Sequence, residues 1–259
     1  MKSSRRSPSV TVAHYTLIEA LRSGLPWLAA ACVLGVLGLA GFLSRVAITE
    51  ASALQASTAG ALLRACAVFL IAAHVVASAS REANDKGLEL ALALPVSRPA
   101  YYIGKLSGYS CAGAMLATIF ALPLLLWVQP ADLAPWWLSL AAETALVAAA
   151  ALFFASAMAQ TLAALAAAAG LYLLGRSMSA IQAIASAPQA EDSSLAIAAR
   201  WFVDALALLL PRLDAVTRSD WLLYGAPQAA EFAQALLGLA LYFLLLAAAG
   251  LFDFSRRNL

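Results

Sequence analysis

Charge is what this chain has least of. Only 12% of its 259 residues are Asp, Glu, Lys or Arg, about half the share of about 25% carried by soluble domains. Alanine and leucine stand in the missing positions, in runs too long for the helices of a globular core. With 63% hydrophobic residues and a mean hydropathy of +0.84, the sequence reads as an all-α integral membrane protein. Its net charge of +2 leaves no electrostatic footprint for nucleic acid.

Reactive side chains are scarce as well. The three cysteines, Cys32, Cys66 and Cys111, lie inside apolar runs without the close spacing of a disulfide or metal framework. They read as small buried hydrophobes. The two histidines, His14 and His74, are too far apart in sequence to suggest a shared ligand. There is no H-E-x-x-H, no G-x-S-x-G and no clustered Asp pair. Gly104–Lys105 has the ending of a phosphate loop, but Pro99 and Leu106 occupy the places where that loop needs glycine and a hydroxyl. The chain is therefore expected to be no enzyme and to bind no cofactor or metal itself. Its first apolar run begins only near Leu25 and has no small-residue cleavage site, so no signal peptide is expected.

A helix needs about 20 mostly apolar residues to cross a hydrocarbon layer of about 30 Å. Six stretches meet that need or come close: 26–43, 60–80, 106–128, 136–158, 161–178 and 231–252. Pro26 suits a helix start, and Pro123 predicts a kink in the third span. Only Ala159 and Gln160 separate spans four and five, which predicts a tight helical hairpin. An even number of spans puts both termini on one side. That side would hold Lys2, Arg5, Arg6, Arg22, Arg81, Lys86, Arg98, Lys105, Arg256 and Arg257, the larger part of the basic residues. The bias of Lys and Arg toward the cytoplasmic side places both termini and the 81–105 segment in the cytoplasm; the membrane itself is expected to be the cytoplasmic (inner) membrane of a bacterial or archaeal-type cell.

Two segments outside the spans are amphipathic. In residues 10–22, Val10, His14, Leu17, Ile18 and Leu21 recur at helical spacing between Arg5, Arg6 and Arg22. Such a helix lies in the cytoplasmic interface with its basic residues toward the headgroups, and His14 reads as a packing residue. Residues 195–210, inside the long 179–230 connection, would be a seventh span but for Arg200 and Asp204. Each of those would cost about 2.5–3.5 kcal/mol at mid-bilayer, although an i,i+4 pairing would soften the cost. This segment is expected to lie in the outer leaflet.

Arg64, Glu143 and Arg176 fall within about two turns of the outer ends of the predicted spans, where long side chains snorkel or pair at the rim. Glu143 is the deepest, and Arg64 or Arg176 is its natural partner. His74 lies toward the cytoplasmic half of span two. Because intramembrane ionisable groups are functional suspects by default, His74 and Glu143 are kept as candidates.

The richest segment is "REANDKGLELALALPVSRPAYYIGK", residues 81–105. Its polar start would end the second span at the membrane surface. Gly87 permits a change of direction, and Pro95 disfavours helix at the residue before it. Between them, Leu88–Leu94 reads better as a short interfacial helix than as a lone strand, since Leu, Ala and Glu are strong helix formers. Ser97 is placed to cap the helix leading into span three. Two readings fit such a segment: an ordinary amphipathic loop lying on the headgroups, or a small rigid helix, charged on its exposed rim, that offers a docking surface to a cytoplasmic partner.

The same residues carry a resemblance. Arg81, Glu82, Gly87, Pro95, Ser97, Arg98, Tyr102, Gly104 and Lys105 match the first cytoplasmic loop of ABC-2-type permeases, the membrane subunits of certain ATP-binding-cassette transporters, with a departure at Leu88. The tail stretches "LPRLDAVTRSDWLLYG" and "LYFLLLAAAGLFDFSRRNL" resemble the branch often labelled permeases of multicopper-enzyme maturation. The resemblance implies a single six-helix permease domain over 1–259, with an N-terminal elbow helix (10–22) and a coupling helix in the 81–105 loop. It implies a homodimer or heterodimer of permeases in which a separate ATPase subunit, carrying ATP and Mg, docks on Arg81, Glu82, Asp85, Gly87, Glu89, Pro95, Arg98 and Lys105. Cargo would pass by spans one, two and five at the dimer axis, in the direction of export, with lipids and room for an accessory outer-side protein around it. Two other readings compete: a membrane anchor or assembly subunit that docks an ATPase without a transport path, and a secondary transporter, which would show inverted repeats and broken helices.

Overall fold

The structure is a computed structural model that describes residues 7–46, 51–85, 96–185, 194–218, 221–225 and 227–256. Among these residues the secondary structure is helical throughout. The helices are α1 (Pro8–Arg22), α2 (Leu25–Val46), α3 (Ala51–Asn84), α4 (Arg98–Leu124), α5 (Pro130–Ala157), α6 (Thr161–Ala185), α7 (Ser194–Leu209), α8 (Trp221–Tyr224) and α9 (Ala229–Arg256), with a 3-10 turn at Leu213–Ala215. Six of them, α2, α3, α4, α5, α6 and α9, are long and apolar enough to span a membrane.

The helices extend well beyond the runs marked by hydropathy. α3 has 34 residues, about 51 Å at 1.5 Å per residue, so it overreaches a hydrocarbon layer of about 30 Å. α5 is the hub: it packs on α3, α4, α6 and α9, and residues 146–152 are all buried. The run of alanines at 148–151 lets neighbouring backbones come close on every side, which suits association between helices whose surroundings are as apolar as they are. The peripheral α2 and α9 are different: they leave Trp27, Leu34, Phe42, Leu237, Leu244 and Phe252 exposed. Cys32 on α2 and Cys66 on α3, distant in sequence, come near each other where the two helices meet.

Several local expectations change. Pro123 does not kink a longer helix: α4 ends one residue later, and the chain continues through turns closed by Leu126 N–H to the Pro123 carbonyl and Val128 N–H to that of Leu124. Without an N–H of its own, proline cannot continue the ladder. Ser97 does occupy the N-cap position of α4, but its side chain makes no capping bond. The hairpin between α5 and α6 is present, with Met158, Ala159 and Gln160 between the helices. The interfacial helix expected at 88–94 lies outside the described residues, as do Lys86, Gly87, Glu89 and Pro95.

α1 packs along the first half of α4, burying Thr16 and Ala20. The contact is made by glycines. A Cβ on Gly104 would lie 2.7 Å from the Val12 Cβ and 2.8 Å from the Ser9 carbonyl oxygen, and one on Gly108 would lie 2.6 Å from the Thr16 Cβ. Gly104-Lys-Leu-Ser-Gly108 is thus a G-x-x-x-G contact that brings two helix backbones together. The stripe expected on α1 is split: Leu17 packs against the core, whereas Val10 and Leu21 are exposed, and so is His14. His14 is a surface residue rather than a packing one, because the small side chains, not the large ones, fit against α4.

Candidate functional site

Two polar clusters interrupt the apolar bundle. The first sits in its middle. Arg64 of α3 and Glu143 of α5 form an ion pair of 2.5 Å with both side chains wholly buried. The other nitrogen of the Arg64 fork, Nη2, donates to the Ser139 hydroxyl at 2.9 Å, and the guanidinium lies 5.1 Å from the centre of the Trp136 ring. The second oxygen of Glu143 accepts a hydrogen bond from the Tyr172 hydroxyl at 2.7 Å and lies 3.8 Å from Arg176 Nη1. Arg176 also donates to the Tyr172 hydroxyl at 2.9 Å. Three groups from two other helices therefore converge on one carboxylate.

This placement overturns the snorkelling reading. Hydropathy begins the spans at Gly60 and Trp136 and ends the fifth at Met178. The helices run on to Ala51, Pro130 and Ala185, so Glu143 stands at the midpoint of α5 and Arg64 and Tyr172 near the middles of theirs. Arg64 is completely buried and cannot reach a headgroup. Ion pairing is what makes such burial tolerable, since a lone buried charge would carry the full desolvation penalty.

The second cluster lies where α3 ends and α4 begins. Lys105 Nζ is 2.8 Å from Glu82 and 3.6 Å from Glu19 of α1. The Tyr101 hydroxyl donates to Glu82, the Ser78 hydroxyl to Glu19 at 2.5 Å, and the Tyr109 hydroxyl to Ser78 at 2.9 Å. The His74 ring meets Tyr109 edge-on at 6.1 Å, with its Nε2 buried and unpartnered. The Tyr101 ring stacks on Phe254 of α9, and Arg98 reaches the Ser255 carbonyl at 3.4 Å. A small cleft opens beside Glu82, Tyr102, Lys105 and Ser156.

Of the residues expected to dock a partner, Glu82 and Lys105 thus face one another across the roots of the 81–105 loop, and Lys105 is buried. Arg81 and Asp85 are exposed. His74 is tied to this second cluster and Glu143 to the first, and the two clusters are separate. Sequence reasoning missed Glu19, Ser78 and Tyr109, whose polar groups carry no motif and whose meeting depends on the glycine contact between α1 and α4. It missed Tyr172 for the same reason, although a tyrosine one turn before Arg176 is the visible signal.

In the 179–230 connection, Arg200 Nε donates to the Ala185 carbonyl at 2.8 Å, and Asp204 accepts from Gln182 at 3.2 Å. Both charges of α7 therefore tie back to the end of α6. Among the described residues no three His, Cys, Asp or Glu side chains gather as a metal site. No family model matches the chain, and no curated protein matches it. What the fold and the clusters define on their own is a multi-pass α-helical membrane protein with a charge network at its centre and a second one at the end that carries α1.

Proposed function

We propose that this chain is the membrane-spanning permease half of an ABC-2-type ATP-binding-cassette exporter, working with a separate ATPase subunit and a second permease copy or homologue. The observation that carries the reading is the way the roots of the 81–105 loop are fastened. Glu82 on α3 holds both Lys105 and Tyr101 on α4, Lys105 reaches Glu19 on α1, and Tyr101 stacks on α9. A force applied to the loop from outside would be delivered to four helices at once. That is the mechanical need of a permease driven by another subunit. In this reading α1 has the elbow role, the segment between Asp85 and Val96 has the coupling role, and Arg81 and Asp85 meet the ATPase while Glu82 and Lys105 carry the load inward. ATP and Mg belong to the partner. Both termini lie in the cytoplasm of a bacterial or archaeal-type cell.

Co-purification tests it. The chain, co-expressed with an ABC ATPase subunit from the same genome, should retain that ATPase and support ATP hydrolysis in lipid. Asp85→Lys and Leu90→Pro should release the ATPase while the chain still inserts. A wild-type chain that retains no ATPase would overturn the reading, whereas retention without any transport would turn it into that of an anchor.

A further inference from the structure

The central cluster is not neutral. It holds two guanidinium groups, Arg64 and Arg176, around one carboxylate, Glu143. Arg64 is fully enclosed, but the Arg176 side chain is 36% exposed. Among the described residues its Nη1 alone makes contacts, to Tyr172 and Glu143, which leaves Nε and Nη2 for a further acceptor. The guanidinium is turned toward Tyr172, one helical turn closer to the middle of α6, rather than toward the nearer helix end. It is therefore not snorkelling, and a half-exposed cation this near the middle of an apolar helix would be costly against lipid tails.

The surface around it is also unlike the lipid-facing helices. Neighbours of Arg176 at helical spacing are Ala169, Leu173, Ser179 and Ala180, all exposed. α2 and α9 instead present large apolar side chains, among them Trp27, Leu34, Phe42, Leu241 and Leu244. Further along α6, Leu162 and Ile184 are exposed too, so the cation stands on a surface that is small beside it and apolar beyond it. If two copies met at this face through two-fold symmetry, each would bring the same excess of positive charge to the interface, which would double instead of cancelling.

We propose that this face of α6 lines the transport path and that Arg176 binds the anionic headgroup of an amphiphilic cargo, a phosphate or carboxylate attached to an apolar chain that lies along Leu173 and the alanines. The proposal rests on the permease reading and supplies its substrate class. A guanidinium presents planar paired donors matched to such oxyanions. Glu143, already engaged by Arg64 and Tyr172, holds Arg176 in place without neutralising the whole cluster.

The test uses the full chain in phosphatidylcholine nanodiscs, with empty nanodiscs as blank and labelled dodecyl phosphate as probe. Unlabelled dodecyl phosphate should compete at least about tenfold better than dodecyltrimethylammonium or inorganic phosphate. Arg176→Gln should weaken binding by about tenfold or more, and Arg176→Lys should keep the preference for the anion. Ala180→Glu, which places a carboxylate four residues from Arg176 on an exposed position, should weaken binding as Arg176→Gln does, and it decides the matter if Arg176→Gln does not fold. Absent saturable binding, equal competition by the cationic amphiphile or by inorganic phosphate, or binding unchanged in the folded variants overturns the proposal. ATPase retention, measured on the same preparations, separates the two readings. Lost retention with intact anion preference removes the permease alone, and retention without that preference removes the anionic cargo alone.

Discussion

Arg64 and Glu143 meet at 2.5 Å with neither side chain exposed, joining the middles of α3 and α5, the two helices at the heart of the bundle. Breaking a buried pair from one side strands the other charge, at a cost of about 3–5 kcal/mol. Replacing both partners by apolar residues of similar volume is often neutral or stabilising. Glu143→Ala should therefore lower the unfolding midpoint in detergent far more than the double replacement Arg64→Met with Glu143→Leu. Equal losses in the single and double variants would mean that the pair does not share a desolvated site.

The contact between α1 and α4 depends on the absence of two side chains. At Gly104 and Gly108 an added Cβ meets atoms of the α1 backbone, the carbonyls of Ser9 and Ala13 at 2.8 and 2.9 Å. These cannot move without shifting the helix. Gly104→Val and Gly108→Val should each destabilise by about 1–3 kcal/mol, the range of overpacked cores, and should detach α1. A cysteine placed at Thr16, now 1% exposed, would then react with a maleimide that it resists in the parent protein. Gly38→Ala on α2, where nothing lies within 4 Å, should change neither quantity.

Lys105 serves two carboxylates unequally. The Glu82 contact is shorter, at 2.8 against 3.6 Å, and Glu82 is 24% exposed where Glu19 is 39%. Solvent screens the second pair more, and exposed pairs couple by about 0.2–1 kcal/mol. Double-mutant cycles on unfolding midpoints should give a larger coupling for Lys105 with Glu82 than for Lys105 with Glu19. The first coupling should persist in high salt and the second should fade. The reverse order would show that α1, not α3, anchors the loop.

The spans were legible because a bilayer imposes one requirement, about 20 apolar residues in a row, which composition shows directly. Depth was not legible. Hydropathy stops at the first polar residue, whereas α3 continues through Gln55 and Ser57 at one end and Arg81 and Glu82 at the other. Arg64 and Glu143 thus looked peripheral when they are central. Gly104–Lys105 shows a second limit. Tested against a phosphate loop it yields nothing, and only the approach of α1 reveals that the glycine makes room for that helix while the lysine ties it to α3. Pairings across helices, Tyr172 with Glu143 or Ser78 with Glu19, depend on rotation about helix axes, and no local pattern in the chain encodes that rotation.

α7 provides the last discriminating case. Its 16 residues extend about 24 Å, short of the hydrocarbon thickness, and Arg200 and Asp204 fasten it to the end of α6. Trp201, Phe202, Leu208 and Leu209 are exposed and form one apolar stripe at helical spacing. A helix held at one membrane face with such a stripe lies flat, apolar side inward. Spin labels at Phe202 and Leu209 should then report similar, shallow depths from their relative accessibility to oxygen and a water-soluble nickel complex. A spanning helix would separate these two positions by about 10 Å along the membrane normal, seven residues at 1.5 Å each. A depth difference of that size would make α7 a seventh span and place α9 in the opposite direction across the membrane.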